Sequence, residues 1–254
     1  MRFSMITLAV LMLVAATPAM AQDEAAVGTS AFTVTGGATV TTDYRFRGLS
    51  QTDKDPAVQV SVNLNHSSGF YAGAWASTID DTTSLPGYGD AELDLYAGYT
   101  KTFDNGVSVD LGLLYYLYPV DKATGLDTDF FEPYASVTYT VGPVTTKVGA
   151  NYAWGGQSGL GGNDSLYLRG DVSAAIPGTP LTALGHLGYT NGQLGILALT
   201  DDDYVDWSLG LEASHDFVKL GVQYVDTNIK DFGVGWSKAV GANKTVLGYL
   251  TVSF

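Results

Sequence analysis

The sequence predicts an all-β fold, a closed antiparallel transmembrane β-barrel of about twelve strands. Three observations carry that prediction. Period-two alternation of apolar and polar residues recurs along the chain, and beyond residue 21 no capped apolar stretch of period 3.6 interrupts it. The connections between alternating stretches are of two kinds, short and long, which take turns. The last stretch, "GYLTVSF" at 248–254, keeps its alternation up to Phe254. Chain ends ordinarily fray, so strict patterning there points to a strand edge that must be paired.

The elements follow in order. Arg2, the apolar run from Met5 to Ala16 and the small-residue pattern "TPAMAQ" read as a secretory signal peptide over 1–21, cleaved after Ala21. That run is too short for a membrane-spanning helix, which takes about 20 residues. A single outer-membrane barrel domain is expected over 22–254. Its strands are predicted near 32–47, 57–65, 69–79, 90–103, 106–118, 130–141, 143–154, 164–176, 181–190, 204–215, 217–226 and 245–254. At roughly 9 to 11 residues or more, each can cross a bilayer when tilted.

Short turns follow the even strands: "HSSG" at 66–69, "DNG" at 104–106, "GP" at 142–143, "PGTP" at 177–180 and "HD" at 215–216. Long polar loops follow the odd ones, from "GLSQTDKDP" to "TNIKDFGVGWSKAVGANK". A soluble sandwich has no reason to gather every short turn at one end. An outer-membrane barrel does so, with tight periplasmic turns, longer extracellular loops and an even strand number. In hydrocarbon every backbone N–H and C=O must be paired within the protein, so a sheet resides there only when it closes and leaves no edge. The first strand must therefore meet the last, which makes "GYLTVSF" the closing strand.

Composition agrees. Charged residues make up only 15%, beside 31 Gly and 16 Tyr, as short turns and interfacial aromatics require. Beyond residue 21 the chain carries 26 acids against 11 bases. That balance excludes nucleic acid as a partner, because such binding depends on neutralising phosphates with Lys and Arg. The absence of Cys removes disulfides and thiolate metal sites. No cofactor and no metal are expected.

Alternation also sorts the strands into two faces. Val107, Val109, Leu111, Leu113, Tyr115 and Leu117 form an apolar row, and similar rows run through Leu93 and Leu95, Val144 and Val148, Leu209 and Leu211, and Leu220 and Val222. Charges fall on the other row: Asp43, Arg45 and Arg47 on the first predicted strand, then Glu92, Asp94, Asp110, Glu132, Lys147, Arg169, Asp171, Asp206, Glu212 and Lys219. A charge facing lipid at the midplane costs about 2–4 kcal/mol, so all of these are expected inside and are the candidate pore-lining residues. Two readings of such a lumen stay open. Acids and bases either pair across it and hold its shape, or line a watery path whose acidic excess favours cations or neutral polar solutes. Arg45 and Arg47 are expected to pair with acids such as Glu92 or Asp94, or to grip an anionic solute. Tyr44 and Phe46, with Tyr99, Tyr118, Tyr139, Tyr152, Trp154, Tyr189 and Trp236, are expected in the interfacial girdle.

Competing chemistry is thin. His66 and Ser68 have the two-residue spacing of a barrel lipase but fall in a short turn, where "HSSG" has an ordinary turn reading. His186 and His215 lie on or beside strands without an evident Ser and acid arrangement. The acidic triplets "DTD" at 127–129 and "DDD" at 201–203 lack a full calcium-loop spacing. The Gly run "GGQSGLGG" lacks the Lys and helix of a phosphate loop. An enzyme is not expected.

The stretches "TTDYRFRGLSQTDKDPAVQ", "SSGFYAGAWAS", "ELDLYAGYTKTF", "GLLYYLYP", "FEPYASVTYTVGPV", "DSLYLRGDVSAAIPGTP", "GHLGYTNG", "DWSLGLEASHDF" and "QYVDTNIKD" resemble the Gcw_chp family of bacterial outer-membrane proteins, also called TorF-like porins. The resemblance implies a Gram-negative outer-membrane barrel with pore activity toward a small polar solute that it does not name. It also implies partners: outer-membrane lipids and lipopolysaccharide, and the barrel-assembly machinery, engaged through the strand that ends at Phe254. The closing segment departs from a charged "SKSF"-like ending but keeps the Phe. The alternatives are a non-conducting barrel with a structural or loop-mediated binding role, and a periplasmic β-sandwich.

Overall fold

The computed structural model describes residues 30–119, 127–160, 162–198 and 202–254. The expected signal peptide at 1–21 lies outside the described residues. The barrel strands are β1 (Phe32–Thr41), β4 (Ala57–His66), β5 (Phe70–Thr78), β6 (Ala91–Thr102), β7 (Val107–Leu117), β8 (Phe130–Val141), β9 (Val144–Ala153), β10 (Ser165–Ala175), β11 (Leu181–Gly192), β12 (Asp203–His215), β13 (Val218–Thr227) and β14 (Thr245–Ser253). Two short strands, β2 (Arg45–Phe46) and β3 (Leu49–Ser50), pair with each other alone. Each barrel strand pairs antiparallel with its neighbours, and β1 meets both β4 and β14, so the twelve close into one cylinder.

Closure reaches the last residue. The β1–β14 seam runs from Thr41 opposite Tyr249 to Gly37 opposite Ser253. One further rung pairs Phe254 with Gly36 in both directions, at 3.0 and 2.9 Å. Phe254 is thus a paired strand end, and the sheet has no open edge for water or another chain to occupy.

Register keeps like faces together. Leu209 sits opposite Tyr224 and Leu211 opposite Val222, and all four point away from the barrel axis. Leu209 is 67% exposed, Leu220 60% and Val148 60%. A belt of bare Leu, Val and Phe on this scale is unstable in water and comfortable in hydrocarbon. Inside the barrel, several tyrosines lie flat over glycines. A Cβ on Gly221 would stand 2.1 Å from Tyr249 Cζ, and one on Gly112 2.4 Å from Tyr134 Cζ. Only a hydrogen leaves the ring that space, and the ring in turn covers the weak spot a strand glycine creates.

The first predicted strand, 32–47, is corrected. The wall strand stops at Thr41, and the last rung beyond it is Thr42 N–H to Gly248 O at 2.9 Å. Residues 45–50 then form a hairpin whose two central residues, Arg47 and Gly48, have φ of 49° and 81°. Positive φ at both positions marks the tight turn that suits the twist of paired strands. The first long loop therefore folds into the lumen instead of prolonging the wall. Asp43, Arg45 and Arg47 are inside the barrel, but on this loop and not on a face of β1. Tyr44 and Phe46 are inside too, against Trp75 (ring centroids 5.4 Å) and Tyr116 (5.7 Å), not in a lipid girdle. Tyr118 also turns inward against Tyr88 at 4.8 Å. Trp236 packs on the cluster of Leu49, Tyr204, Ile229 and Ala242. Tyr139, Tyr152 and Trp154 are outward and exposed, as expected.

Candidate functional site

The β2–β3 hairpin is pinned to walls on several sides. At its base the Arg45 Nε donates to Asp43 Oδ2 at 2.7 Å, and the Ser50 hydroxyl donates to Asp43 Oδ1 at 2.6 Å. Arg45 Nη1 also donates to the carbonyls of Gly241 (2.6 Å) and Asn243 (3.2 Å), while Ser50 N–H bonds Gly241 O at 3.0 Å. At its tip Arg47 crosses to β8, where Nη2 pairs with the fully buried Glu132, and its guanidinium lies 4.5 Å over the ring of Tyr167 on β10. Glu132 further accepts from Tyr116 OH and Asn151 Nδ2, each at 3.0 Å. Burial opposes the charge on Arg47, but the Glu132 carboxylate holds the guanidinium protonated well beyond its ordinary range. Tyr204 OH donates to Arg47 O at 3.0 Å.

The arginines thus meet Asp43 and Glu132, not the Glu92 and Asp94 expected from sequence. Glu92 is buried near the hairpin, within 3.5 Å of Tyr118 OH, and Asp94 forms no ion pair among the described residues.

Below the hairpin the lumen encloses a cavity of about 600 Å³, lined among others by Trp75, Asn151, Arg169, Asp171, His186 and Asp206. A space of about 300 Å³ lies beside it among inward residues of β1, β4 and β14, and one of about 270 Å³ beside Lys147 and His186. Within this region His186 bridges two strands: Nδ1 lies 2.7 Å from Asp171 and Nε2 3.0 Å from Asp206. Tyr167 OH also lies 2.9 Å from Nε2, so that nitrogen faces a hydroxyl as well as the Asp206 carboxylate. Arg169 approaches Asp171 at 3.4 Å, and Lys219 approaches Glu212 at 3.3 Å with Tyr249 OH donating to the same carboxylate. On the opposite wall Tyr71 OH donates to Asp110 at 2.6 Å and touches Tyr134 OH. Lys147 has no ion-pair partner among the described residues.

Of the charged candidates on the strands, Glu92, Glu132 and Asp206 are buried and Arg169, Asp171 and Asp206 border the cavity of about 600 Å³, whereas the sequence gives no sign of the clusters that join them. His186, which shows no evident Ser and acid arrangement in the sequence, is one of the residues those clusters bring in. The inward alternation of β11, with Asp171 directly opposite on β10, is the signal that finds it. His66 and Ser68 are in contact, Nδ1 to Oγ at 2.6 Å, but the ring also accepts the Ser68 backbone N–H at 3.2 Å. The contact closes the β4–β5 turn. Asp129 and Asp203 are taken by tyrosine hydroxyls, Tyr115 at 2.9 Å and Tyr189 at 2.7 Å. Asp201 lies outside the described residues. No group of three or more His, Asp or Glu suited to a metal ion occurs among the described residues.

A family profile described as "Bacterial protein of unknown function (Gcw_chp)" matches residues 25–254. The chain belongs to the Gcw_chp family. This Gcw_chp chain is also similar in structure to the KdgM porin, with a TM-score of 0.56 at 10% identity over 87% of this chain and 99% of that one. It is similar to the NanC porin, with a TM-score of 0.56 at 13% identity over 87% and 99% of the two chains. A structure of the KdgM porin in complex with disordered oligogalacturonate gives 0.54 at 10% identity, over 87% and 98%. Identities this low establish a common barrel fold. No curated protein sequence matches.

Proposed function

We propose that this Gcw_chp chain is a narrow passive channel of the bacterial outer membrane for small hydrophilic solutes. One observation carries the reading: an apolar, edgeless exterior encloses a charged lumen that still holds a cavity of about 600 Å³. Side chains that only filled a barrel would leave no such space. Twelve strands stand between about eight, where side chains fill the interior, and the sixteen to eighteen of wide porins, so the path is narrow. Acids outnumber bases among the inward charges, which favours cations and neutral polar solutes over anions.

The residues proposed to line the path are Lys147, Arg169, Asp171, Asp206, Glu212 and Lys219 on one wall and Glu92, Asp94, Asp110 and Glu132 on the other. Asp43, Arg45 and Arg47 narrow it from the hairpin. The proposed surroundings are outer-membrane lipid and lipopolysaccharide, reached through barrel-assembly machinery that reads the strand ending at Phe254.

The hairpin supports a second reading, a non-conducting barrel that works through its long loops. Purified protein in a planar bilayer separates the two. Discrete, cation-preferring conductance steps are expected of the channel, and silence at high protein load overturns it.

A further inference from the structure

The hairpin divides the interior into two chambers of different chemistry. The lower one has charged walls, as described above. On the long-loop side of the hairpin lies a second cavity of about 420 Å³, within the range of about 300–1,000 Å³ typical of small-molecule sites. Phe46 borders both. Among the described residues, none that lines the upper cavity is charged. Its surface combines the rings of Tyr88, Tyr118 and Phe130 and the side chains of Leu85 and Leu194 with the amides of Gln51 and Gln193 and the hydroxyls of Ser50, Thr83 and Ser84.

We propose that this upper chamber is a binding site for an uncharged saccharide of one or two rings, held before it passes the hairpin. The assignment rests on the outer-membrane pore reading for its role, though not for its chemistry. A sugar presents C–H faces and hydroxyl edges together. The faces suit Tyr88 and Tyr118, whose rings meet edge to face at 4.8 Å. The edges suit the amides. Gln51 spends its Nε2 on Leu49 O at 3.0 Å, and Gln193 its Oε1 on Asn163 at 3.3 Å, which leaves an acceptor on one and donors on the other for a solute. Tyr88 OH likewise has no hydrogen-bond partner among the described residues.

Other classes of solute fit less well. A hydrocarbon would bury the free amide groups of Gln51 and Gln193 and the Tyr88 hydroxyl without partners. A charged solute would lose its hydration where no counter-charge stands among the described lining residues. The charged chamber below and the neutral chamber above therefore make successive, different demands on one solute, and a neutral polyhydroxylated ring meets both.

Calorimetric titration of the detergent-solubilised full barrel tests the site without reference to conduction. Maltose, glucuronate and glucosamine serve as neutral, anionic and cationic probes. Maltose is expected to bind more tightly than either charged sugar. Tyr88→Ala is expected to weaken maltose binding about 5-fold, the scale of one aromatic contact, and Gln193→Ala to weaken it in the same direction. Both variants are first checked for the compact, heat-modifiable band of the folded barrel, and Gln193→Ala serves alone if Tyr88→Ala does not fold. No heat from any sugar, equal heat from the charged probes, or unchanged maltose binding in the folded variants overturns the site. Maltose binding with a silent bilayer sinks the pore and keeps the site, whereas conductance without sugar binding does the reverse.

Discussion

At the scale of single residues the lumen is governed by the cost of an unpaired charge. Glu132 is fully buried and is the only carboxylate paired with Arg47 among the described residues. Removing one partner of a buried pair costs about 3–5 kcal/mol, because the other charge stays behind without water. Glu132→Ala is therefore expected to lower the unfolding free energy of the lipid-reconstituted barrel by about 3 kcal/mol, read from urea denaturation. The double variant with Arg47→Ala should recover part of the loss. Space is just as strict at Gly221: with Tyr249 Cζ 2.1 Å from any added Cβ, Gly221→Val is expected to cost about 1–3 kcal/mol through overpacking beside the seam. Asp80 gives a pH dependence. Burial alone would raise its carboxyl, but the Thr82 hydroxyl and the backbone N–H groups of Ser84, Thr83 and Thr82 bring it below the usual value. A carboxylate favoured in the folded state stabilises above its unfolded pKa and loses that effect as pH falls through the folded one. Hydrogen-exchange protection of Thr83 and Ser84 should thus hold at neutral pH and decline in acid.

At the scale of elements the proposed channel is narrowed by the β2–β3 hairpin, which folds into the lumen. The hairpin carries two buried polar atoms, Arg45 Nη2 and Arg47 Nη1, with no hydrogen-bond partner among the described residues, and a non-glycine residue with positive φ at its tip. Such features cost free energy and persist only where surrounding contacts over-determine them. Replacing 45–50 by a short Gly-Ser linker is expected to raise single-channel conductance several-fold while the twelve-strand wall stays folded. Unchanged conductance would place the constriction elsewhere. The hairpin was poorly legible in the sequence for a physical reason. "DYRFRGLS" alternates as well as any wall strand, and alternation reports which residues share a face, not whether the segment stays in the sheet. The Arg47-Gly48 pair is also a weaker turn signal than Asn-Gly or Asp-Gly.

At the scale of the whole molecule, closure is the property on which the rest depends. The rung between Gly36 and Phe254 completes the seam, and an open edge in hydrocarbon would leave a row of unpaired backbone groups. Deleting Phe254 is expected to reduce sharply the heat-modifiable band recovered from the outer-membrane fraction, both by shortening the seam and by removing the aromatic end proposed for recognition by the assembly machinery. A folded barrel in undiminished yield would remove the importance given to that residue.

The sequence by itself determined the twelve wall strands apart from where the first one ends, the two faces of β6–β10, β12 and β13, and the separation of short turns from long loops. Each follows from local periodicity, which the pleat and a two-solvent environment impose on every stretch independently. Only the tertiary structure decided that the first loop turns inward, that Arg47 meets Glu132 across 85 residues of chain and that His186 stands between Asp171 and Asp206. Those choices depend on which side chains the curvature of a closed cylinder brings face to face across its interior. Ordering along the chain carries no record of that distance.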